Sequence, residues 1–235
     1  MNQYNENQPE YYFGIGNEIV KEGIFERFPE LRPAVGYPHY WREDGKHKKL
    51  LLVGESNYFN DKDIPYSDFL DAEKWYKAEK AKLIPDNAHK KVSNWKGGGP
   101  FEHAFKIMDK VLSEAGIEHE EYLLNEAAFY NYFLRPAHKT KNQSKSFKAV
   151  IQDIDRQVSG TALSAIISRI NPEIVIFLSE FAATEFADFC VKKDLSFDNI
   201  VIERTSHPAY WWTTNDDNQG KAKFELLLKK YWINK

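Results

Sequence analysis

The sequence predicts an α/β fold, a three-layer α/β/α sandwich with a central four-stranded parallel sheet. Three observations predict it. Short, wholly apolar runs that end on polar residues alternate with segments of helical periodicity, the pattern of a parallel sheet covered on both faces. With 235 residues, 42% hydrophobic and 15% aromatic, the chain can bury a sizeable core and fits one large domain. Its longest apolar runs, such as Leu50 to Val53 and Ile174 to Leu178, fall far short of the about 20 residues of a membrane span. The expected organisation is a single domain over residues 1–235, with residues 1–45 as an irregular N-terminal arm.

The arm is aromatic and broken by Pro29, Pro33 and Pro38. A basic lead-in, His47 to Lys49, opens the first strand, Leu50 to Val53, which is expected to stop on Gly54. Phe69, Leu70, Trp75, Tyr76 and Leu83 lie among charges at helical spacing, so a helix is expected over 67–83, ended before Pro85. A loop through Gly97-Gly98-Gly99-Pro100 precedes Phe101, Phe105, Met108 and Leu112, which predict a helix stopped near Gly116. The second strand is expected over Glu121 to Asn125, followed by a polar, basic loop from Arg135 to Lys148. A helix over 151–170 ends at Asn171-Pro172, and Glu173 to Leu178 is the clearest strand. Phe181 to Val191 reads as a helix, Ile200 to Ile202 as the fourth strand, and Lys221 to Trp232 as a closing amphipathic helix.

Composition narrows the function classes. The single cysteine, Cys190, reads as a buried helical thiol and excludes a disulfide framework, a Cys-rich zinc site or an iron–sulfur cluster within one chain. The 32 Lys plus Arg and 35 Asp plus Glu give a net charge of −3, which argues against a protein that coats nucleic acid through general positive charge. The segment Met1 to Glu10 has neither a basic start nor an apolar stretch, so a cytoplasmic location is expected.

In doubly wound sheets, ligands bind beyond the carboxyl ends of the strands. Those ends carry Gly54-Glu55-Ser56-Asn57-Tyr58, Asn125-Glu126, Ser179-Glu180 and Thr205-Ser206-His207-Pro208. Turns favour such residues as caps in any case. Yet a carboxylate, a carboxamide and an imidazole on one rim can together position water, read a base-like edge and stabilise a developing anion.

Four segments, in order, resemble the uracil-DNA glycosylase superfamily, and most nearly its bacterial and archaeal branch that carries an iron–sulfur cluster. Gly54-Glu55-Ser56 falls where that branch has Gly-Glu-Ala-Pro-Gly. Gly99-Pro100-Phe101 resembles its Gly-x-Pro-Phe segment. Leu124-Asn125, with Arg135-Pro136 ten residues on, resembles its Asn and Cys-Arg-Pro pattern, and Ser206-His207-Pro208-Ala209 resembles its His-Pro-Ser loop. The resemblance runs from about residue 47 to the end of the chain, outside the N-terminal arm. Leu134 stands at the Cys position of Cys-Arg-Pro, so no cluster, metal or other cofactor is expected. The segment from Glu55 to Phe101 is longer than is usual in the family, and Ser56-Asn57 replaces its Ala-Pro.

The resemblance implies that the chain flips a damaged or deaminated base from DNA and hydrolyses its N-glycosidic bond, in base-excision repair. Glu55 would orient water and favour the cationic sugar, or else is a solvated turn residue. Phe101 would stack on the flipped base, or else begins the apolar face of its helix. Asn125 would pair with the O4 and N3–H edge of uracil. Tyr58 would exclude a thymine methyl, as the tyrosine of another branch's Gly-Gln-Asp-Pro-Tyr motif does, or simply pack. His207 would donate to the base O2 as negative charge grows there, or else caps its turn.

Tyr210 and Trp211 would meet the duplex in the family's wedge loop, although at least one of Trp211 and Trp212 is expected to pack in the core. Arg135, Lys139, Lys141, Lys145 and Lys148 would meet phosphates, or else form a solvated loop. The expected partner is DNA, single-stranded or uracil-containing, bound by a monomer with no membrane attachment. Two other readings stand beside this one. The first is a non-catalytic nucleic-acid or nucleotide binder that keeps the glycosylase fold, and the second an unrelated α/β enzyme of nucleotide metabolism.

Overall fold

A computed structural model describes residues 24–27, 31–35, 46–60, 71–77, 101–119, 126–140, 143–144, 147–208, 212 and 219–233. In chain order its elements are α1 (Ile24–Arg27), β1 (Ala34–Val35), β2 (Leu50–Asn60), α2 (Ala72–Lys77), α3 (Glu102–Glu114), β3 (Ala128–Thr140) and β4 (Gln143–Ser144). A 3-10 turn (Phe147–Ala149) leads to α4 (Asp153–Ile170), β5 (Ile174–Phe177), α5 (Glu180–Lys193), β6 (Val201–Arg204) and α6 (Gln219–Leu227), which runs on into a π-helical turn (Leu228–Trp232).

The strands lie in the order β1-β3-β2-β5-β6, with β4 attached to β3 beyond this path. β2 runs parallel to β3 and β5, and β5 parallel to β6. The sheet exceeds the expected four strands because β1 and β4 pair antiparallel with β3. β1 comes from the supposedly irregular arm, where Ala34 and Val35 are buried and give β3 a partner. β2 lies between β3 and β5, so the chain leaves it for β3 on one side and returns to β5 on the other. That reversal makes the carboxyl end of β2 the switch point of the fold.

Leu50 to Val53 and Ile174 to Phe177 are fully buried on both faces, as continuous apolar runs in a parallel sheet require. Alternation divides them between two cores. Leu50, Leu52, Phe129, Ile174 and Ile176 pack with α3 and α6, and Leu51, Val53, Tyr130, Val175 and Phe177 with α2, α4 and α5. Helices on both faces of the sheet make the three layers. The α4–α5 contact is close enough that a Cβ on Gly160 would run into the Phe189 ring.

Three sequence expectations change. The first strand does not stop on Gly54 but continues to Asn60. The stretch expected to be the second strand, 121–125, lies outside the described residues apart from its neighbour Glu126, and the second parallel strand is β3, 128–140. The expected basic loop from Arg135 is therefore strand as far as Thr140. Helix α2, within the 67–83 segment, is described over Ala72–Lys77. The remaining helices and β5 and β6 lie within a few residues of where periodicity places them.

The register explains how β3 tolerates Pro136. Between Ser56↔Phe133 and Tyr58↔Ala137, one residue of β2 faces three of β3, an irregularity that frees the proline from the ladder. The bulge delivers Arg135 into the interior, where it is fully buried. Its Nε donates to Asp155 Oδ1 at 2.8 Å, and its Nη2 to Asp155 Oδ2 at 2.6 Å and to the Val150 carbonyl at 2.6 Å. Tyr76 of α2 donates to the same carboxylate at 3.1 Å, and the backbone N–H of Gln152 does so at 2.9 Å. The guanidinium also lies 5.0 Å from the centroid of Phe147.

Removing one member of a buried, hydrogen-bonded ion pair leaves an uncompensated charge, which costs about 3–5 kcal/mol. Asp155→Ala is accordingly expected to lower unfolding stability by that amount in urea titrations. Gly160→Ala, which overpacks the α4–α5 contact, should cost a smaller 1–3 kcal/mol or so.

Candidate functional site

Where β5 and β6 reach their carboxyl ends, the longer strands β2 and β3 run on, and this rim gathers Gly54 to Asn57 within β2, Asn131 within β3, Ser179 after β5 and Thr205 to Pro208 after β6. Gly54 pairs in register with Asn131. A Cβ on Gly54 would run into Asn131 Oδ1 and would lie 3.1 Å from Phe129 Cζ. Glycine is needed here because the Asn131 carboxamide fills the space a Cβ would take. Phe129 meets Phe101 edge to face, with ring centroids 5.1 Å apart, and Phe101 lies 5.9 Å from the His207 ring. Carboxamide, two aromatic rings and imidazole thus form one contiguous wall on the α3 face of the sheet.

His207 is held by a pinned loop. Thr205 Oγ1 donates to the Gly220 carbonyl at 2.9 Å, and the buried Trp212 donates from Nε1 to Ser206 Oγ at 3.3 Å while packing on Phe224. Burial lowers the His207 pKa from 6.5 to about 4, because the imidazolium form loses hydration. The ring is therefore neutral near pH 7 and can act as a hydrogen-bond donor without carrying charge.

Glu55, next to Gly54 in β2, points toward β5. Its Oε2 accepts from Ser179 Oγ at 2.7 Å, while that hydroxyl accepts from the Ala182 N–H at 3.2 Å as the N-cap of α5. Burial raises the Glu55 pKa, and the Ser179 bond opposes that rise. The carboxylate is thereby fixed in orientation and made more basic than a solvated glutamate.

Of the residues expected from sequence, Phe101 and His207 are in ring contact, and Glu55 lies on the same rim, on the Ser179 side. Arg135 corrects an expectation: ion-paired with Asp155 in the core, it cannot reach a phosphate. Lys148 is exposed, with Nζ 5.8 Å from the centroid of Phe181. Tyr58 and Lys139 lie in β2 and β3, but their side chains are outside the described residues, as are Asn125, Lys141, Lys145, Tyr210 and Trp211 altogether. Cys190 is helical but only half-buried.

Sequence reasoning missed Asn131, Asn57 and Phe129. Asn131 is buried and donates from Nδ2 to Asn57 Oδ1 at 2.6 Å. The available signal was Asn131 itself, a carboxamide within the apolar run from Ala127 to Leu134, four residues before Arg135-Pro136. Among the described residues, no group of three or more His, Cys, Asp and Glu side chains could hold a metal ion.

The His207 environment gives a pH dependence with a definite sign. The unfolded chain takes up this proton near pH 6.5 and the folded chain near 4. Acid therefore favours the unfolded state across that window, and stability present above pH 6.5 is lost toward pH 4, by up to about 3 kcal/mol. Urea titrations at pH 7, 5.5 and 4 should show this loss in the wild type and a flatter profile in His207→Asn.

Comparison of the chain with protein-family models and with curated proteins gives no match.

Proposed function

We propose that the chain has a uracil-DNA glycosylase-like fold and is a hydrolase that takes a deaminated or damaged base out of DNA and cleaves its N-glycosidic bond. The observation that carries this reading is the wall formed by Asn131, Phe129, Phe101 and His207 at the switch point of a parallel sheet. A flipped base needs an aromatic face to replace its lost stacking, and polar groups that read its edge. Phe101, half-buried and at the start of α3, supplies the face. Asn131, rather than Asn125, supplies the carboxamide beside Gly54.

In the reaction the C1′–N bond breaks, its electron pair leaves with the base, and water adds to C1′. His207, neutral in its buried setting, donates an N–H to the base oxygen where negative charge grows. Glu55, held by Ser179, orients the water, favours the cationic sugar and accepts the proton that water releases. Lys139 and Lys141, with the Tyr210-Trp211 segment, contribute contacts to a single-stranded or uracil-containing DNA strand, and Arg135 does not.

The test is a single-uracil oligonucleotide, with hypoxanthine and xanthine oligonucleotides in parallel, assayed for abasic sites. Wild type should produce them, and Glu55→Gln and His207→Ala should each slow the single-turnover rate about 10²-fold or more. Absence of abasic sites from all three substrates at high enzyme overturns the reading. Binding that survives Glu55→Ala, fails with Phe101→Ala and gives no product identifies a non-catalytic binder instead.

A further inference from the structure

Asn57 is only 8% exposed, and its Oδ1 takes the Asn131 Nδ2 hydrogen at 2.6 Å. Its own Nδ2 is buried and has no hydrogen-bond partner among the described residues. A buried amide N–H left without an acceptor is costly, and on the candidate rim a bound molecule is one acceptor that would satisfy it. Asn57 lies where β2 and β3 fall out of register, between Ser56↔Phe133 and Tyr58↔Ala137. The strand irregularity lets its side chain reach Asn131.

We propose that Asn57 is a positioning and specificity-determining residue. By accepting from Asn131 Nδ2 it fixes which way round that carboxamide lies, and by its own Nδ2 it donates to the O4 oxo group of the bound base. A carboxamide whose amide end is tied cannot rotate to offer its oxygen and nitrogen in exchanged places. The two asparagines then act as one hydrogen-bonding unit, and the Nδ2–H of Asn57 donates to an oxo group but meets an exocyclic amino group donor to donor. This inference rests on the glycosylase reading of the same rim.

Asn57→Asp separates the two roles, since the introduced carboxylate still accepts from Asn131 but has no N–H to donate. Asn57→Ala removes both. Binding of otherwise identical single-stranded oligonucleotides carrying one uracil or one cytosine is measured by fluorescence anisotropy, with thermal unfolding as the control for folding. Asn57→Asp is expected to weaken uracil binding about tenfold or more and to collapse the uracil-over-cytosine ratio. A merely structural role would lower both affinities together.

The side-chain amide resonances of Asn131 in ¹⁵N NMR supply a readout that needs no ligand. They should remain protected from solvent exchange in Asn57→Asp and lose that protection in Asn57→Ala. Wild-type discrimination retained in Asn57→Asp, or Asn131 protection unchanged in Asn57→Ala, overturns the proposal while leaving the glycosylase reading intact. Wild type that neither binds nor cleaves the uracil strand overturns both.

Discussion

The bidentate contact between Arg135 and Asp155 puts a buried polar tie inside the apolar core that β3, α2 and α4 share. It joins the bulge of β3 to the first turn of α4, and through Tyr76 it gathers in α2. Burying two opposite charges is expensive, and only near-complete hydrogen bonding offsets that cost. Here the carboxylate receives the guanidinium, a phenol and a backbone N–H, while the guanidinium also reaches the Val150 carbonyl. The same low dielectric drives the Tyr76 pKa well up, so the phenol stays a donor. Arg135 lies in the same stretch of β3 that leaves its register with β2, opposite Asn57, which takes the hydrogen bond from Asn131.

The rim above is built by contrast between the two faces of the sheet. On the α3 face, Gly54 withdraws its side chain so that Asn131 and Phe129 can fill the space, and Phe101 and His207 complete the wall. On the other face, Glu55 is tied to the cap of α5. Desolvation acts oppositely on the two titratable groups, disfavouring charge on both: the imidazole becomes harder to protonate and the carboxyl easier. One rim therefore holds a neutral donor and a strengthened base within the same pH range.

Much of this was legible in the sequence where burial is continuous. Leu50 to Val53 and Ile174 to Phe177 announce themselves as strands because nothing polar interrupts them. Ser179 before α5 and Asn171 after α4, which takes a left-handed conformation, mark their helix ends by ordinary capping chemistry. β3 was not legible, because Asn131, Arg135 and Pro136 each read as a reason to end a strand. Their compensations are Asn57, 74 residues away, Asp155, 20 residues away, and a bulge, and none of these is a local property of the sequence. A buried arginine looks like a solvated one until its carboxylate is found. For the same reason Arg135 reads, from sequence alone, as one of a group of basic residues facing phosphates.

The central position of β2 also bears on how the molecule is made. Contacts at the base of this strand join residues 79 positions apart on one side and 124 on the other, His47 with Glu126 and Lys49 with Glu173. Loop closure over such distances must precede the contacts that reward it, which slows folding. During synthesis the Gly54–Asn57 rim therefore emerges long before either neighbouring strand exists. It acquires its shape only when β5 has left the ribosome, so the strand that forms the rim is among the earliest made and its surroundings are among the last to settle.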